Sequence, residues 1–209
     1  MASHINMIAA QKPPTFSQAP WQYLKHTLLP YDTSEKEGLA RSKWFRQEGF
    51  GYNLEQSTKP STLGFAFADS PVALLAWIYE KLHDWTDSYP WTDDEILTWI
   101  SVYQFSRAGP AANVRIYYER QHANPEHLAK ALSYVPRVPL GLSYFPKDLY
   151  VPPKTWGRTL GPVVFENYHT DGGHFAAHER PEKLAKDLQN MFSANGGAYK
   201  VAQSFQSKL

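Results

Sequence analysis

Two short runs, "YVPRVPLGLSYF" (134–145) and "GPVVFENYH" (161–169), are β-branched, aromatic and bounded by Pro and Gly. That pattern predicts strands. What precedes them reads differently. "SEKEGLARSKWFRQEGFG" offers Ser34 and Glu37 at capping-box spacing and Gly49 near its stop. "DSPVALLAWIYEKLHDW" has Ser70 as N-cap and Pro71 at the first helical position, and "TDDEILTWISVYQFSRAG" pairs Thr92 with Glu95 and ends at Gly109. Pro110 and Pro125 open two further helical stretches. Near the start, "HINMIAA" (His4 to Ala10) is an apolar run cut off by Lys-Pro-Pro, and it reads as a short buried strand. The order strand, helical block, strand, loop, strand, loop, helix implies an α/β sheet interrupted by a helical excursion. The glycine-containing end, "SANGGAYKVAQSFQSKL", reads as a loosely held tail.

Composition narrows the function. Over 209 residues, 21 basic and 20 acidic side chains give a formal charge of +1 without a run of one sign. Neither nucleic acid nor a polybasic membrane contact is indicated. The chain has no cysteine, which removes disulfides, thiolate metal sites and cysteine nucleophiles together. No secretory signal and no transmembrane stretch is legible, so a cytoplasmic or loosely membrane-associated protein is expected. Aromatic residues make up 15% of the chain, which suits a deep apolar pocket as well as a large core.

In an open α/β sheet, functional groups gather in loops beyond the carboxyl ends of strands. Asp148 follows "GLSYFPK" and His174 follows "PVVFENYHTDGG", so each stands just after an expected strand. A carboxylate on one imidazole nitrogen fixes the tautomer and leaves the other as a general base. The competing reading is a surface aspartate and a loop histidine. His169, His174 and His178 invite a metal reading, but the zincin order is absent and no acidic residue has matching spacing; no metal and no cofactor are expected. A serine nucleophile finds no support: "GLSYF" has Gly141 before Ser143 but Phe145 after it, and "FADSP" lies in a loop entering a helix.

"GYNLEQSTKPSTLGFAFADSPVALLAWIYEKLHDWTD", "RIYYE", "GLSYFPKDL" and "GGHFAAHERPEKLAKDL" together resemble the microsomal-type epoxide hydrolases, an α/β-hydrolase family with a helical lid. The resemblance runs in order from His4 to Phe192. In that family an Asp attacks the epoxide to form an ester, a carboxylate-oriented His activates water to hydrolyse it, and two lid tyrosines bind the epoxide oxygen. By motif, the resemblance makes Asp148 the orienting acid, His174 the base, and Tyr52 and Tyr117 the lid tyrosines. Tyr118 is an alternative to Tyr117 because the doublet leaves one residue of ambiguity, and Glu119 is an alternative carboxylate. A phenol suits this task as an uncharged donor at neutral pH.

The family's nucleophile lies before the strand that "HINMIAA" matches, so the resemblance implies a truncated α/β-hydrolase core of about three strands. It divides the chain into a first core strand (1–14), a helical lid (15–135), the last core strands and final helix (136–195) and a flexible tail (196–209). Three functions remain open. One is an enzyme that hydrates, cyclises or isomerises a lipophilic epoxide without its own Asp nucleophile. Another is half of a split hydrolase, and the third is a binding protein derived from one. The retained acid, base and tyrosines favour the first. A sheet this short has an edge that seeks pairing, so a homodimer or a complementing chain is expected on the side of the first strand.

Overall fold

The computed structural model describes residues 1–126, 129 and 133–206. Strand β1 is Ser3–Ile5, and two helices follow, α1 (Pro20–Leu28) and α2 (Thr33–Trp44). A single π turn, Phe45–Gly49, leads into α3 (Gly51–Thr58), α4 (Pro60–Asp69), α5 (Pro71–Asp84), α6 (Asp93–Gln104) and α7 (Arg115–His122). Then come β2 (Leu140–Tyr144), α8 (Lys154–Gly157), β3 (Val163–Tyr168), α9 (Ala176–Glu179), α10 (Pro181–Phe192) and α11 (Tyr199–Gln206).

The helix starts obey their local chemistry. Ser70 caps α5 by accepting from the Ala73 amide, with Pro71 behind it. Thr92 and Glu95 form a complete capping box on α6. The box on α2 lies two residues earlier than expected. Asp32 accepts from the Glu35 amide at 2.8 Å and Glu35 accepts from the Asp32 amide at 3.1 Å, so Asp32 takes the role assigned to Ser34. After Pro110 comes a 3-10 turn, Ala112–Val114, and α7 starts only at Arg115. The helix expected from Pro125 falls mostly on residues outside those described.

The chain forms two compact units, one of Met1–Lys43 with Ala131–Leu209, the other Trp44–Lys130. The first holds a three-stranded parallel sheet of order β1-β2-β3. All five residues of the central β2 are buried, as a parallel strand covered on both faces requires. Ile8, Ala10, Leu140, Leu142, Tyr144 and Val151 form its core. The "HINMIAA" run is therefore buried as expected, but only Ser3–Ile5 is strand; Ile8 and Ala10 reach the core from a loop. The helices α1 and α2 also belong to this unit, which narrows the helical excursion from the 15–135 expected. The regular elements among the described residues of the second unit are helices, and they pack around Phe67, Leu74, Ile100 and Val114.

The end of the chain is more ordered than its polar composition suggested. Tyr199–Gln206 is helical, Ala198 is buried, and its amide donates to the Met191 carbonyl at 3.0 Å. Residues 207–209 lie outside those described.

Candidate active site

In the sheet unit, Asp148 and His174 meet. Asp148 sits four residues past the end of β2, and His174 six past the end of β3; the two loops are stitched together by the Lys147 amide donating to the Gly172 carbonyl at 3.0 Å. Gly172 has φ +102°, and a Cβ there would lie 2.7 Å from the Phe145 ring. Only glycine suits that combination, so the bend that delivers His174 is set in the backbone. On the far side of the loop, the Gly173 amide donates to Glu179 Oε1 at 2.7 Å.

His174 Nδ1 donates to Asp148 Oδ1 at 2.8 Å. The same oxygen accepts from the Leu149 amide at 2.7 Å, while Oδ2 is buried with no hydrogen-bond partner among the described residues. Arg41 of α2 fixes the backbone beneath, donating to the Asp148 carbonyl at 3.1 Å and the Lys147 carbonyl at 3.0 Å. Close approach of α2 makes this possible: a Cβ on Gly38 would lie 2.6 Å from the Val151 carbonyl oxygen. Burial pushes the Asp148 carboxyl above its ordinary range, against the opposing pull of His174, the Leu149 amide and Arg41. An ionised carboxylate only accepts, so with Asp148 charged the shared proton belongs to Nδ1.

The tyrosines belong to the helical unit. Tyr52 opens α3 and meets Tyr117 of α7 edge to face, with ring centroids 5.6 Å apart. Trp85 packs against Tyr52 at 5.0 Å, and Phe45 and Phe50 complete an aromatic box around it. The neighbouring Tyr118 is exposed and stacks on His122 at 4.0 Å. Glu119, beside it, is exposed and lines an open groove with Thr58, Lys59 and Arg115. The carboxylate that touches His174 is Asp148.

A second histidine–carboxylate pair was not foreseen. His169 Nε2 donates to Asp187 Oδ2 at 2.6 Å, and Asn167 donates to Oδ1 at 2.8 Å. Ser143 donates to Oδ2 as well, and its Oγ accepts from His4 Nε2 at 3.1 Å. Burial alone would raise the Asp187 carboxyl; the hydrogen bonds from Ser143, Asn167 and His169, with the His169 charge, hold it below its ordinary range. The cluster ties β1, β2 and β3 to α10. Its one sequence signal is a buried-strand serine aligned with a histidine just past the next strand. Among the described residues, no three His, Asp or Glu side chains converge to hold a metal ion.

No family model matches the chain. A putative epoxide hydrolase of Stigmatella aurantiaca is 38% identical over 164 residues, covering 76% of this chain and 36% of that protein. Epoxide hydrolase 1 of Sus scrofa is 34% identical over 151 residues, covering 66% and 33%. Among solved structures, the Aspergillus niger epoxide hydrolase superposes with a TM-score of 0.71 at 38% identity, covering 90% of this chain and 44% of that one. The juvenile hormone epoxide hydrolase of Bombyx mori also gives 0.71, at 26% identity, covering 88% and 46%. The chain thus spans less than half the length of each of these four proteins.

Proposed function

Because this chain is a homologue of epoxide hydrolases, with the α/β-hydrolase fold over the part it spans, we propose that it opens lipophilic epoxides by general-base catalysis. The observation that carries the reading is the buried Asp148 hydrogen-bonded to His174 Nδ1. In the proposed reaction, Tyr52 and Tyr117 hydrogen-bond the epoxide oxygen. His174 Nε2 takes a proton from water as the water oxygen bonds to a ring carbon. The carbon–oxygen bond of the ring breaks, and the alkoxide takes a phenolic proton from one tyrosine. The imidazolium returns its proton to that phenolate through solvent, which restores both groups. A substrate hydroxyl in place of water gives ring closure, and loss of a substrate proton gives isomerisation. Asp148 serves by holding the tautomer and stabilising the imidazolium, which is where a buried carboxylate contributes most.

A second reading rests on the sheet. Among the described residues strand β1 pairs with β2 alone, which leaves its outer edge to a strand from another chain, whether a complementing half that brings an Asp nucleophile or a second copy. Sedimentation showing a stable monomer with no exposed apolar surface counts against it. Among the described residues no single helix is long and apolar enough to cross a membrane.

The test is turnover of a panel of lipophilic epoxides by the chain and two variants. His174→Ala is expected to lose about 10²–10⁴-fold, the range of general acid–base catalysis. Tyr52→Phe, which removes one oxyanion donor, is expected to lose about 10²-fold. Activity that survives both substitutions refutes the assignment, and saturable binding without turnover points to a binding protein.

A further inference from the structure

Lys81 occupies an expensive position. It lies in the last turn of α5, and its side chain is only 8% exposed. Lysines are seldom buried so fully unless their charge is compensated. Its ammonium makes one ion pair, to Glu80 Oε1 at 2.6 Å, and the Glu80 side chain is itself 60% exposed, where solvent weakens the pairing. The ammonium also faces two aromatic rings: it stands 3.9 Å from the centroid of the Trp77 ring and 5.5 Å from that of Tyr52. A cation over a ring is attracted to its face, and the carboxyl end of a helix favours the charge further. These terms account for how a buried ammonium is held there. They also place the positive charge beside one of the two phenols that the proposed reaction uses.

We propose that Lys81 is a positioning residue for epoxide opening: its buried ammonium, wedged between Trp77 and Tyr52, makes the Tyr52 phenol a stronger hydrogen-bond and proton donor to the opening epoxide oxygen. The inference rests on the reading of Tyr52 as an oxygen-binding donor. As the phenolic proton shifts toward the alkoxide, negative charge grows on the Tyr52 ring and oxygen. A cation already in place, in a site walled by Trp77 and Trp85, stabilises that charge without reorganising. Lys81 touches neither substrate nor reacting atoms; it acts through Tyr52. Among the ring contacts described for Tyr52, the titratable groups are Lys81, with Glu80 behind it, and Tyr117.

The experiment reads Tyr52 directly. The chain is labelled with tyrosine carrying carbon-13 at Cζ, the Tyr52 signal is assigned by its disappearance in Tyr52→Phe, and its ionisation is followed by NMR from neutral to alkaline pH. Replacing Lys81 by Met keeps the bulk and removes the charge; Tyr52 is expected to ionise about one pH unit higher, the low end of what a neighbouring charge produces. Lys81→Arg restores the wild-type midpoint. Glu80→Gln, a change at an exposed carboxylate, unmasks the ammonium and moves the midpoint the other way. Loss of packing alone does not give opposite shifts in these two variants. An unchanged Tyr52 midpoint in Lys81→Met overturns the inference; should that variant fail to fold, an unchanged midpoint in Glu80→Gln does so. Full epoxide turnover by Tyr52→Phe instead defeats the reading of Tyr52, and leaves the titration result standing.

Discussion

The sheet unit holds two histidine–carboxylate pairs built from the same strands, and they are opposites. At His169–Asp187 both carboxylate oxygens accept, from Ser143, Asn167 and the imidazole, and the histidine is 9% exposed. At His174–Asp148 one carboxylate oxygen is saturated, the other has no partner, and the histidine is 23% exposed. Electrostatics follow the hydrogen bonds: Asp187 is held below the ordinary carboxylate range, Asp148 pushed above it. The His169–Asp187 pair is a fastener, since both carboxylate oxygens already accept and three donors share the charge. A buried carboxylate served chiefly by one imidazole has most to gain when that imidazole becomes positive. The contrast separates a structural pair from one suited to catalysis.

The largest expected difference lies in stability. Removing Asp187 in Asp187→Ala leaves Ser143, Asn167 and His169 donating into a cavity between α10 and the strands, and a loss of about 3–5 kcal/mol is expected in denaturant unfolding. Asp148→Asn, by contrast, keeps the shape and relieves a buried charge. It is expected to leave stability unchanged or slightly higher while removing most of the epoxide turnover. Equal destabilisation of the two variants breaks the comparison.

A smaller effect lies in the pH dependence of stability, where the two carboxyls have opposite signs. Asp187 ionises more readily folded than unfolded. Its contribution is fully present above the unfolded value, about pH 4, and is lost as pH falls through its lower folded value. Asp148 ionises less readily folded, so the wild type loses stability relative to Asp148→Asn as pH rises from about 4 through the raised folded value. Unfolding curves of wild type compared with Asp187→Ala and with Asp148→Asn between acid and neutral pH are expected to diverge in opposite directions. Parallel curves contradict the assignment of environments.

How far these features were legible in the sequence depended on range. Asp148 and His174 could be paired because each followed a strand signal, and parallel strands bring the loops at their carboxyl ends together. The sequence leaves Tyr117 and Tyr118 as alternatives, since adjacent helical residues differ in direction by about 100° and the doublet does not say which one packs against Tyr52; in the structure it is Tyr117. The Ser34 cap was misplaced because Asp32 and Glu35 have the same spacing two residues upstream; both registers satisfy the local rule. The His169–Asp187 cluster and the Lys81 cage went unseen for another reason. Each depends on residues far apart in the chain, as with Ser143 and Asp187, or on burying a lysine that local pattern assigns to a solvated face.

The account stands or falls on what His174 activates. The direct measurement is a single turnover of a lipophilic epoxide, with protein in excess, in heavy-oxygen water. Direct attack by water at His174 predicts label in the product diol and none in the protein. Label in a protein carboxylate, with unlabelled diol, contradicts it and shows that an ester formed first.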